Sequence, residues 1–138
     1  MAAVKQAVIK NTRQLALANK GAATVTTLGE ILMLTAGLAV PATGSTIPGT
    51  LLGVCNQTTT AAEALTQVLY IVPSDEDTFI FTTTNNSDAT HNGQIMILGA
   101  NSTTVLNTGT TAPTGIVQQV EPYGPVADKL IIGRFITA

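Results

Sequence analysis

From Gly21 to the C-terminus no stretch runs long without a turn signal. Glycine, proline, asparagine and threonine recur at short intervals, and the segments between them are brief and rich in β-branched and apolar residues. A buried helix needs about 10–12 uninterrupted residues with apolar positions at helical spacing, whereas strands of about 4–8 residues fit between such signals. The pattern therefore predicts an all-β fold, a small barrel or sandwich of eight short strands over residues 30–35, 50–57, 65–72, 78–84, 94–98, 103–107, 115–121 and 129–137. Between them, residues 41–49 read as a long polar loop, 74–77 as a tight acidic turn, and 85–93 and 108–114 as polar loops. Pro122-Tyr123-Gly124-Pro125 is expected to leave the sheet, because two prolines remove ladder donors. Glycine follows an apolar pair in Leu51-Leu52-Gly53, Ile97-Leu98-Gly99 and Ile131-Ile132-Gly133. Glycine within a strand marks a bulge or a corner, which predicts a closed or strongly bent sheet over a flat one.

The 138 residues are enough for one domain with a real core and few for two. Charge divides the chain. Residues 1–20 carry Lys5, Lys10, Arg13 and Lys20 and no acid, while residues 21–138 carry two basic residues against eight acidic ones, a net of −6. The organisation read from this is a basic N-terminal arm, 1–20, followed by a single β domain, 21–138. The arm contains good helix formers, but Val4, Gln6 and Val8 also alternate, so neither period wins and its conformation stays open. It lacks the compact apolar centre of a secretory leader, and no segment approaches the ~18 apolar residues of a membrane span. These features predict a protein made and folded in the cytoplasm, with no membrane partner.

Only 10% of residues are charged, against a usual ~25%. Threonine, at 24 positions, is the main uncharged polar residue. Such a surface can be covered by a partner at little ionic desolvation cost, which suits a component of an assembly.

The reactive side chains do not form a recognisable catalytic set. His91, the single histidine, lies in a polar loop with Asp88 nearby, but no serine sits in a nucleophile-elbow sequence. Cys55, the single cysteine, lies in the apolar run Leu51–Cys55 and reads as a core filler; it excludes an internal disulfide. Asp75-Glu76-Asp77 offers oxygen ligands but lacks the alternation of a calcium loop and reads as a solvated turn. Trp is absent and aromatics make up 4%, which argues against a glycosidase or a stacking sugar binder. Phosphate-binding glycine loops are missing, and the acidic body argues against nucleic acid. The expectation is a protein that is not an enzyme and uses no metal or other cofactor.

The order of segments resembles a known family. Leu28-Gly29-Glu30-Ile31-Leu32, a Pro/Gly-rich loop, Leu51-Leu52-Gly53-Val54 and the stretch 58–64 are similar to the body of small tailed-bacteriophage capsid decoration proteins, or cement proteins. Val72-Pro73, residues 75–81 and 94–98, and the closing Asp128-Lys129-Leu130-Ile131-Ile132-Gly133-Arg134-Phe135-Ile136 look like the C-terminal half of such proteins. The resemblance covers residues 28–136 and is one of layout and composition, without a diagnostic motif. It implies a β-barrel or β-tulip-like subunit of a homotrimer on the capsid surface of a virion, clamped over junctions of the major capsid protein. In that family an N-terminal arm reaches onto a neighbour, which points to Val4, Lys5, Val8, Ile9, Lys10, Arg13, Leu15, Leu17 and Lys20 as contact residues. Alternatives are a head-fibre, neck or tail component, a carbohydrate-binding adhesive domain using the polar stretches 85–93 and 101–111, and a hydrolase of unfamiliar type.

Overall fold

The computed structural model describes residues 8–10, 14–44, 46, 48–74, 76–99, 102–112 and 114–136, with side chains from Gln14 onward. The fold is all-β, with eleven strands among the described residues: β1 Val8–Lys10, β2 Gln14–Asn19, β3 Ile31–Thr35, β4 Leu38–Pro41, β5 Leu51–Cys55, β6 Gln67–Val72, β7 Thr78–Thr83, β8 Ile95–Leu98, β9 Thr104–Leu106, β10 Val117–Pro122 and β11 Leu130–Phe135. Single 3₁₀ turns occupy Ala89–His91 and Val126–Asp128. Each of the eight expected strands has a counterpart, and three more are present: β1, β2 and β4.

One sheet runs β1-β7-β11-β10-β8-β9, and β9 returns to pair parallel with β7 through Thr82↔Thr104 and Thr83↔Val105. That pairing closes β7, β11, β10, β8 and β9 into a barrel. Directly paired residues share a face, so the register places Phe79, Phe81, Ile131, Phe135, Val117, Met96, Leu98 and Val105 on the side that forms the main core. Three phenylalanine rings meet edge to face at its centre, with centroids 6.2, 5.4 and 5.3 Å apart. This arrangement adds to the burial term because the positive ring edge meets the negative face.

The second sheet, β2-β6-β5-β3-β4, is antiparallel throughout and buries residues on both faces. Ile31, Val54 and Ile71 join the barrel core, while Leu32, Ala39, Cys55 and Val68 form a smaller core of their own with Ala18, Leu52 and Tyr70. Its strands accordingly read as continuous apolar runs rather than alternating ones. The sheet curls until its edge strands β2 and β4 approach one another, which gives the inner face something to pack on.

Register shifts accompany two of the three expected glycines, Gly53 and Gly133, while Gly99 lies just past the end of β8. Between β3 and β5 the register shifts from Leu32↔Gly53 to Met33↔Leu51, leaving Leu52 as the extra residue. At Gly53 a Cβ would stand 2.1 Å from the Ile71 carbonyl oxygen, so no other residue fits there without moving backbone. A second shift, between Gln119 and Glu121 on β10, lies opposite Gly133. The expected departure from the sheet at Pro122 needs correction: Pro122 is the last residue of β10, paired with Ile131, and Tyr123 N–H still donates to Leu130 O at 3.0 Å. Pro41, read as the start of a loop, likewise ends β4 opposite Leu32. Proline is tolerated at both places because each is a strand terminus.

Candidate functional site

Of the arm residues, Val4, Lys5 and Arg13 lie outside the described residues. Val8, Ile9 and Lys10 form β1, whose backbone pairs with β7 through Val8↔Phe79 and Lys10↔Thr78. The second half of the basic segment is strand β2, paired along its whole length with β6 from Gln14↔Val72 to Asn19↔Gln67.

Alternation on β2 decides which side chains are available. Ala16 and Ala18 share a face with Tyr70 and Val68, toward the smaller core. Leu15 and Leu17 share the opposite face with Ile71 and Leu69, where the barrel covers Ile71 but not the leucines. Leu15 is 45% exposed and Leu17 59%. Among the described residues their polar neighbours on this face are neutral: Gln67 Nε2 donates to Asn19 Oδ1 at 3.5 Å. The result is a two-leucine stripe on a strand, Gln-Leu-Ala-Leu-Ala-Asn, that carries no ion.

Lys20 closes the basic segment. It is 3% exposed, and its ammonium donates to the carbonyls of Leu65 at 2.8 Å and of Gly21 and Thr24 at 3.2 Å each. Three carbonyls take its three donors, so this charge ties β2 to the loops around it and is not presented to a partner. Sequence patterning alone could not reveal this, since the carbonyl from Leu65 comes from a segment distant in the chain.

The His91 region is built as a turn cap. Asp88 caps the 3₁₀ turn: its Oδ1 accepts from Thr90 N–H at 2.9 Å and from the Thr90 hydroxyl, and these bonds hold its carboxyl below the usual carboxylate range. His91 Nδ1 lies 3.1 Å from the Asp88 backbone nitrogen and 3.2 Å from Asp88 Oδ1, so the ring folds back onto the capping residue. The nearby Ser87 hydroxyl donates to Gln119 Oε1, away from the histidine. Serine, histidine and aspartate are thus close in sequence without the geometry of a nucleophile and its base.

Three further titratable groups, Glu30, Asp77 and Cys55, are buried. Glu30, buried, accepts from Thr27 N–H and from the Ser102 hydroxyl, each at 2.7 Å, and so links the curled sheet to the β8–β9 connection. Asp77 is buried and its Oδ2 accepts from Ser74 N–H at 3.3 Å, while Asp75 lies outside the described residues. Cys55 is buried as a core filler; its thiol contacts Gln57 O at 3.0 Å, and burial pushes its pKa up, away from a reactive thiolate. Among the described residues, no three histidine, cysteine or acidic side chains are placed to hold a metal ion.

The polar loops expected to serve an adhesive domain bond largely to one another. Asn85 Nδ2 donates to Asn107 O at 2.7 Å, Asn107 Nδ2 to Asn86 O at 3.2 Å, and Gln94 Nε2 to Gly109 O at 3.0 Å. Among the described residues other large apolar side chains are also exposed, Val25, Leu28, Leu34, Leu38, Leu65, Tyr123 and Val126, and the pair Leu15 and Leu17 stands out as two neighbours on one face of a single strand. In comparisons with known proteins, the chain matches no family model and no curated sequence.

Proposed function

We propose that the chain is a virion structural protein, a capsid decoration protein that binds the outer surface of an assembled shell and stabilises it by bridging major capsid subunits. The observation that carries the reading is the exposed, ion-free stripe of Leu15 and Leu17 on β2, within the segment the family resemblance assigns to shell contact. Neutral apolar and amide groups can be covered without stripping water from a charge, and crowded copies do not repel one another through them.

Magnitude refines the proposal. Covering two half-exposed leucines contributes on the order of 2–3 kcal/mol per copy. Association costs about 4–15 kcal/mol in lost freedom, so this stripe alone cannot hold a monomer on a surface. The reading therefore requires further contacts from residues 1–13 and a β-tulip-like subunit acting as a homotrimer, whose linked contacts bind together.

The test uses particles assembled without the chain. Added protein is expected to co-sediment with them and raise their resistance to heat. The Leu15→Ser/Leu17→Ser double variant, folded by circular dichroism, is expected to bind at least about tenfold more weakly. Failure of the unaltered protein to bind such particles would overturn the proposal.

A further inference from the structure

We infer that Asn92 is a site of spontaneous covalent modification, an Asn-Gly pair restrained by Gln119 for as long as the 86–94 loop stays closed. Asn92 is the one asparagine in the chain followed by glycine. Glycine lacks the side chain that otherwise hinders its own nitrogen, and both residues of the pair are exposed to solvent.

The chemistry needs only water. The Gly93 amide nitrogen gives up its proton and attacks Cγ of Asn92; the bond from Cγ to the side-chain nitrogen breaks, and ammonia leaves with the proton. A five-membered imide remains. Water then adds to one of its carbonyls, breaking that carbon–nitrogen bond to yield aspartate or, with the main chain rerouted through the side chain, isoaspartate.

The fold holds both reacting groups apart through one residue. The Gly93 N–H donates to the Gln119 backbone carbonyl at 2.8 Å, which withholds the proton that must leave. Gln119 Nε2 donates to Asn92 Oδ1 at 3.0 Å and to Asp88 O at 2.9 Å, while its Oε1 accepts from Ser87. Gln119 is 1% exposed, so its amide is anchored in the barrel wall rather than swinging with the loop. Asn92 has ψ of 134°, which turns the Gly93 nitrogen away from the Cβ side where the ring must close. The bond to Oδ1 also polarises Cγ, an effect that favours attack. It cannot act while the nitrogen is out of reach, so the geometry sets the sign, and the closed loop slows the reaction.

The full chain is incubated in mildly alkaline buffer with and without denaturant, and asparagine conversion is followed by peptide mass and by isoaspartate assay. Asn92 is expected to convert first in denaturant, and at least about tenfold more slowly in buffer, because reaction must wait for local opening. Hydrogen exchange of the Gly93 amide in buffer is expected to be slowed by a comparable factor. Gln119→Met, which keeps the side-chain length and removes the amide, is expected to speed conversion in buffer several-fold. If that variant does not fold, Ser87→Ala, which removes only the hydroxyl holding Gln119, is read in its place with the same expectation. Equal rates with and without denaturant, another asparagine leading in denaturant, or a folded variant converting no faster than the original chain would overturn the inference.

Discussion

At the scale of single residues, two positions, Gly53 and Cys55, carry constraints that can be tested alone. Gly53→Ala puts a methyl group against the Ile71 carbonyl at the β3–β5 bulge and should cost about 2–3 kcal/mol in denaturant unfolding. Cys55 should resist thiol reagents at neutral pH in the folded chain and react once denatured, because burial keeps it protonated. The same shift gives a pH dependence with a definite sign. The unfolded thiol ionises first as pH rises, so stability is fully present below the ordinary thiol range and falls above it; Cys55→Ala should lack this part of the slope in unfolding measured against pH. The role of Cys55 was legible in its apolar neighbours. That of Lys20 was not: it reads as an arm cation, yet its ammonium is closed in by three carbonyls that only folding brings together.

At the scale of elements, β3 and β4 form a hairpin whose two turn residues, Ala36 and Gly37, have φ of 52° and 80°. This is the geometry of a type I′ turn, which normally shows itself as Asn-Gly. Alanine hides the signal, and for that reason β4 was missed in the sequence while the neighbouring β3 was found. Ala36→Asn should stabilise the protein by roughly 0.5–1 kcal/mol, read from its denaturation midpoint, because asparagine accepts the left-handed conformation more readily. Strand β2 escaped for another reason. Its Leu-Ala-Leu-Ala alternation is modest, and its alanines become half-buried only because they share a face with Val68 and Tyr70 of β6. The leucines left outside are the candidate contact surface; they were named, with the other arm residues, from family resemblance, while their exposure is visible only in the fold.

At the scale of the molecule, the main core joins the barrel to the second sheet through Ile31, Val54 and Ile71, so the two sheets should unfold together in one calorimetric transition. Phe81→Ala, at the junction of the three rings, should cost about 3–5 kcal/mol and lower that transition without splitting it. The all-β class, the eight central strands and the bulges beside Gly53 and opposite Gly133 followed from the chain alone, because turn chemistry and side-chain alternation act between near neighbours. Closure of the barrel by the parallel β7–β9 pair, the second core inside the curled sheet, and the exposure of Leu15 and Leu17 did not. Each depends on which segments distant in sequence meet, and an apolar residue on a strand is the same residue whether a neighbouring sheet covers it or leaves it to water.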